Sequence, residues 1–212
     1  MLHGFVDVLD LRRYALYIQD FGGPLGLRLA ARDPQRVTAL IVQNANAYLE
    51  GVTDELAAVL TRLHDERTDD MRTFADRLFE LPYTMRQYTE GVADASLVSP
   101  DAWTPAQWGM DRPGNKEIQY QLHANYATNF ARYDEWNAYF RQHRPPTLVI
   151  WGEGDFVFGV AGALAYGRDL PDAEFHMIPD AAHFALETHH REIAGWIVDF
   201  MDRRVAPFGD RS

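Results

Sequence analysis

The segment YALYIQDFGGPLGLRLA, Tyr14 to Ala30, sets one carboxylate, Asp20, between an apolar run and a pair of glycines. A charge at the end of an otherwise buried strand is costly unless it is paired, hydrogen-bonded or used. Two further residues have the same kind of placement. Asp155 follows the apolar run TLVIWG, and His183 follows EFHMI a few residues on, within DAAHFALE. In a parallel sheet the residues past the carboxyl ends of the strands gather on one edge, where ligands bind. Acid, acid, base in that order can supply a nucleophile, an orienting carboxylate and a general base. The plainer alternatives are that Asp20 caps the helix after it and that His183 is a hydrogen-bonding loop histidine.

Three zones must position these residues. Residues 1–48 hold a short amphipathic segment (FVDVLDLRRY), the run ALYI, the glycines, a helix pattern in LGLRLAARDPQRV that Pro34 stops, and a second apolar run, TALIVQN. That is the strand, helix, strand rhythm of a parallel α/β sheet. A strand, a sharp glycine turn and a helix make a nucleophile elbow, with Gly22 and Gly23 as the small residues where the backbone doubles back. Residues 49–140 have no β-rich run and carry helical periodicity in DELAAVLTRLHDE, MRTFADRLFELPYTMRQY and NKEIQYQLHANYATNFARYDEWNAYFRQH. The Pro- and Gly-rich SLVSPDAWTPAQWGMDRPGN between them reads as a loop. Residues 141–212 return to the first rhythm: strand TLVIWG, helix AGALAYGRDL, strand EFHMI and a closing amphipathic helix. The expected class is α/β, a parallel sheet with an inserted all-helical cap.

Composition narrows the function. The 212 residues are 47% hydrophobic with a formal net charge of −11 and no Lys/Arg-rich block, which argues against a nucleic-acid partner. Without cysteine there is no disulfide framework, thiolate nucleophile or Cys-based zinc site. No apolar stretch is long enough to span a membrane and the N-terminus has no signal-peptide pattern, so a cytoplasmic location is expected. His189 and His190 are adjacent and point apart on a helix, so they read as solvent-facing and not as a metal pair. No metal and no cofactor is expected.

The segments IQDFGGPLGLRLAARDPQRVTALIVQNA, WGEGD and AAHFALE, in this order, resemble the α/β-hydrolase fold, in particular its epoxide hydrolase and haloalkane dehalogenase group. The resemblance implies Asp20 as nucleophile, Asp155 as the acid and His183 as the base. A carboxylate attacks a saturated carbon to form an alkyl-enzyme ester, expelling halide or opening an epoxide, and the histidine then activates water to hydrolyse it. The Phe21 N–H, directly after the nucleophile, is the expected oxyanion donor. The implied partners are a small apolar organic substrate and water.

In the dehalogenases of this group the residue after the nucleophile is typically tryptophan, whose indole N–H helps to hold halide; here it is Phe21. Ile18 is closer to the bulky residue common in dehalogenases than to the glycine common in epoxide hydrolases. Opening an epoxide needs a proton donor, which the group draws from cap tyrosines. Tyr83, Tyr88, Tyr120 and Tyr126 are available, with Tyr83, Tyr126 and Trp103 taken as substrate-binding residues; Trp103, Trp108 and Trp136 are equally open to a halide-donor role. Loss of the indole donor favours the epoxide, with haloalkane dehalogenation as the alternative. Some dehalogenases of this group place the acid after the second apolar run; the amides Asn44 and Asn46 there support Asp155 instead and are themselves expected to cap a loop.

The family core normally starts with several strands and a His-Gly turn before the elbow, whereas Asp20 follows Met1 closely. His3-Gly4 reads as the start of a helix and not as that turn. The expectation is a partial core that leaves ALYI as an unpaired edge, a surface for an oligomer or partner, and that lacks one oxyanion donor worth about 2.7–4 kcal/mol. A reading from another class follows: a noncatalytic fragment or interaction module that retains triad residues.

Overall fold

The computed structural model describes residues 2–205. In chain order the elements are α1 (Leu2–Val8), β1 (Tyr14–Gln19), α2 (Gly22–Arg32), β2 (Val37–Gln43), α3 (Asp54–Asp65), α4 (Asp69–Arg77), α5 (Leu81–Thr89), α6 (Pro100–Met110), α7 (Asn115–Tyr126), α8 (Tyr133–His143), β3 (Thr147–Gly152), α9 (Val160–Asp169), β4 (Glu174–Ile178) and α10 (Leu186–Arg204). The strands form one parallel sheet in the order β1-β2-β3-β4. His3 and Gly4 lie in α1, as their sequence suggests.

Both faces of the central strands are covered, which is why β2 and β3 read as unbroken apolar runs and do not alternate. Leu40, Val42, Val149 and Trp151 point to one face, where they meet Leu27 of α2, Trp136 and Phe140 of α8, and Tyr166 of α9. Ala39, Ile41, Leu148 and Ile150 point to the other, against Ile193 and Phe200 of α10. Successive side chains thus serve two cores. After a register shift between Tyr14 and Ala15, the pairings run in register toward the carboxyl ends, with Gln19 opposite Gln43, Gln43 opposite Ile150 and Gly152 opposite Ile178, so the chain leaves the sheet along a common rim.

Between β2 and β3 the described chain is helical. The Thr53 and Thr68 hydroxyls accept from the Leu56 and Met71 N–H groups and cap α3 and α4. Leu63, Met71, Ala75, Phe79, Tyr120 and Ala124 close a separate small core among these helices and α7. The segment read as a loop contains a helix, α6. Ser99 caps it through the Asp101 N–H at 3.1 Å, and Pro100 stands at the first helical position, where no donor is required. Pro105 lies inside the helix; proline content alone therefore misjudged the segment. No helix among the described residues is long and apolar enough to cross a membrane.

Candidate active site

Asp20 follows the last residue of β1 and has φ +45°, a left-handed conformation that a non-glycine residue adopts at a cost. Its N–H donates to the Asn44 carbonyl oxygen at 3.2 Å, and its own carbonyl accepts from Gly23 N–H at 2.9 Å, so the turn is held from both sides. The close packing that permits it differs in part from expectation. A Cβ on Gly23 would meet the Ala45 Cβ at 3.1 Å and one on Gly26 would meet Ile18 Cγ2 at 2.5 Å, whereas one on Gly22 would meet nothing. Gly26, not Gly22, lets the helix lie against its strand. Phe21 precedes the first turn of α2, and its N–H has no acceptor among the described residues.

Asp155 and His183 converge beside it. The Asp155 carboxylate is fully buried and saturated: Oδ1 accepts from the Val157 and Phe158 N–H groups at 2.7 and 3.1 Å, and Oδ2 from Asn44 Nδ2 at 2.8 Å and His183 Nδ1 at 2.9 Å. His183 Nε2 lies 3.6 Å from Asp20 Oδ1, and the Asp20 side chain, 27% exposed, is the one of the three that a ligand can reach. Burial alone would depress the His183 imidazole; its hydrogen bond to Asp155 and the charges of Asp155 and Asp20 outweigh burial and hold it above the ordinary histidine value. With Nδ1–H committed to a carboxylate, Nε2 is the atom free to take a proton.

Above Asp20 opens a cavity of about 340 Å³. Its wall carries the aromatic residues Phe21, Tyr83, His123, Tyr126 and Phe158, of which Tyr83, His123 and Tyr126 feel the Asp20 charge, and the aliphatic side chains Leu56, Leu60, Leu63 and Leu78, with Glu55, Arg86 and Gln87 also present. Burial raises the phenols of Tyr83 and Tyr126, the latter well above the usual tyrosine value, so both remain donors at neutral pH. His123 packs edge-on against Phe21 and Phe79, with ring centroids 5.2 and 5.1 Å away, and its Nδ1 meets the Gln119 carbonyl oxygen at 2.9 Å. Desolvation lowers this imidazole, which is therefore neutral at pH 7.

Of the seven residues singled out from sequence, six lie at this site: Asp20, Phe21, Asp155 and His183 around the elbow, and Tyr83 and Tyr126 on the cavity wall. Trp103 is the exception. It stands on α6, which packs behind α5, and α5 itself presents Tyr83 and Arg86 to the cavity. Trp108 is exposed and Trp136 is buried in the sheet core. Tyr88 stacks on Phe184, and Tyr120 belongs to the small helical core. Asn46 caps its loop through Tyr48 as expected, but Asn44 does more, bonding both Asp155 and the backbone of Gly152. His189 is not simply solvent-facing, since its Nε2 lies 3.2 Å from Asp180 Oδ1. His123 had no signal in the sequence beyond its place on a helical stripe. Among the described residues no group of three or more His, Cys, Asp or Glu side chains is placed to hold a metal ion.

Comparison with known proteins agrees with this architecture. The model of the alpha/beta hydrolase fold family matches residues 1–190. An uncharacterized hydrolase of Saccharomyces cerevisiae is 35% identical over 196 residues, covering 91% of this chain and 67% of its own length. A cis-3-alkyl-4-alkyloxetan-2-one decarboxylase of Shewanella oneidensis is 24% identical, with coverage of 94% and 64%. The chain spans about two thirds of the length of these relatives. Among solved structures, a haloalkane dehalogenase from Agrobacterium tumefaciens superposes with a TM-score of 0.76 at 18% identity, over 95% of this chain and 71% of that one. A four-stranded parallel sheet, a strained acidic elbow and a family model spanning most of the sequence place the chain in the alpha/beta hydrolase fold family.

Proposed function

We propose that the protein is an epoxide hydrolase working through an alkyl-enzyme ester on Asp20. The observation that carries this reading is a reachable carboxylate, 3.6 Å from a histidine backed by a buried carboxylate, under a cavity whose neighbouring proton donors are phenols. Asp20 attacks a ring carbon, the C–O bond breaks, and the ring oxygen takes a proton from Tyr83 or Tyr126. His183 then takes a proton from water, which attacks the ester carbonyl carbon while Phe21 N–H faces the oxyanion. Collapse releases a vicinal diol, and the imidazolium proton restores the phenol. Epoxide plus water gives diol, so the atoms balance.

No tryptophan side chain lines the cavity, so halide would find no indole donor there, which supports the epoxide over the carbon–halogen bond. The aliphatic side chains of the wall suit an uncharged alkyl or aryl substituent. The test is a single turnover in ¹⁸O-water with a terminal alkyl epoxide. The expected diol carries unlabelled oxygen drawn from Asp20, and the label appears in the peptide containing Asp20. In His183→Gln the ester should accumulate, raising the mass of the chain by that of one substrate. Halide release from a haloalkane without diol formation from an epoxide would overturn the proposal.

A further inference from the structure

The glutamines that end β1 and β2 have no part in the chemistry above. Gln19 and Gln43 are register partners on adjacent strands, and each directly precedes a residue of the site, Asp20 and Asn44. Their side-chain amides converge on one acceptor, the backbone carbonyl oxygen of His183, with Gln43 Nε2 donating at 3.4 Å and Gln19 Nε2 at 3.5 Å. No backbone N–H among the described residues reaches that oxygen. Because the His183 carbonyl oxygen can only accept, Nε2 is the end of the Gln43 amide that faces it, and Oε1 accepts from the Tyr17 hydroxyl. Gln43 is only 1% exposed.

This arrangement solves a mechanical problem. His183 sits in the turn between β4 and α10, outside the sheet ladder. Its imidazole must nevertheless meet Asp155 through one nitrogen and Asp20 through the other, a geometry with a tolerance of about 0.5 Å. Each amide contact is long and individually weak. Two of them, drawn from neighbouring strands, tie the peptide to the same rim that carries Asp20 and Asn44. We propose that Gln19 and Gln43 are positioning residues, a two-amide clamp on the His183 carbonyl that holds its imidazole between Asp155 and Asp20. The inference rests on His183 being the general base.

The experiment uses the full chain with Gln19→Met and Gln43→Met together, which keep length and apolar packing and remove both donors. The readouts are the His183 titration, followed by ¹⁵N NMR of the imidazole, and steady-state kinetics on a terminal epoxide. Asp155 and Asp20 are the charged groups that face this imidazole and raise it. A ring that swings away from Asp155 therefore titrates lower. Also expected is a fall in kcat of about tenfold with KM within about twofold, since misplacement acts on the chemical step. Should the double variant fail to fold, half-buried Gln19→Met alone is expected to show the same downward shift to a lesser degree. Tyr17→Phe, which frees the Gln43 amide to turn over, should do likewise. An unchanged titration and kcat in a folded variant overturns the clamp, as does a loss of thermal stability with the titration unmoved. If wild type turns over no epoxide, the functional reading fails, while the titration still decides the clamp.

Discussion

Four donors surround the Asp155 carboxylate, and one of them, the Asn44 amide, is also tied to the Gly152 carbonyl and N–H. Replacing Asn44, itself at φ +42°, by Leu leaves a buried carboxylate oxygen and the Gly152 N–H short of partners and puts a branched side chain in left-handed backbone, at a cost above the roughly 1–3 kcal/mol of one lost partner; chemical denaturation should read that loss together with a lower kcat. The pH dependence follows from His183. As the proposed base it must be neutral, and its carboxylate neighbours hold it above the ordinary value of 6.5. The acidic limb of kcat is therefore expected above pH 6.5, and Asp155→Asn should move it down. Stability has the opposite sense. A group raised in the folded state stabilises fully below its unfolded pKa, and that contribution is lost as pH rises through the folded value. Activity thus rises across the window in which this stabilisation fades; a limb at or below pH 6.5 contradicts the assignment. Asp20, Asp155 and His183 were readable because each follows a recognisable apolar run. The role of Asn44 was not, because an asparagine beyond a strand can equally cap its own loop, as Asn46 does.

At the scale of elements, the elbow depends on how closely α2 can lie against β1. Ile18 is buried at 1% exposure, and its Cγ2 stands 2.5 Å from where a Cβ on Gly26 would be. Gly26→Ala should gain up to about 1 kcal/mol of helix propensity and lose about 1–3 kcal/mol to overpacking, for a net loss. Because the strain falls on Ile18, two residues before Asp20, kcat should fall with it. Paired melting and kinetic measurements check both, and an alanine variant that melts higher with full activity would sink the argument. The sheet elements were legible because two buried faces leave an unbroken apolar signature. Helix α6 was not, because its Pro100 and Ser99 are helix-start residues that look like loop residues when counted rather than placed. The position of Trp103 depended on how α5 and α6 pack, and no sequence spacing reports which of two neighbouring helices faces a cavity.

For the whole molecule, the open question is the outer edge of β1, which pairs only with β2 among the described residues. Its sequence, YALYIQ, has neither the charges nor the proline with which exposed edges are usually protected. Tyr17 on the strand is exposed, as are Phe5, Val8, Leu9 and Leu11 in the segment that precedes it in the chain. Opposing this is the net charge of −11, which makes two copies repel. Both effects act at once, and salt separates them. Raising ionic strength to 0.15 M shortens the screening length to about 8 Å, weakening the repulsion while leaving edge pairing and apolar burial intact. Sedimentation at rising protein concentration should therefore show association that deepens with salt, and Tyr17→Lys should reverse it by placing a charge on the strand. Association that weakens with salt would point to ion pairs as its cause. A monomer at every salt and protein concentration would mean that water alone satisfies the free backbone groups of β1.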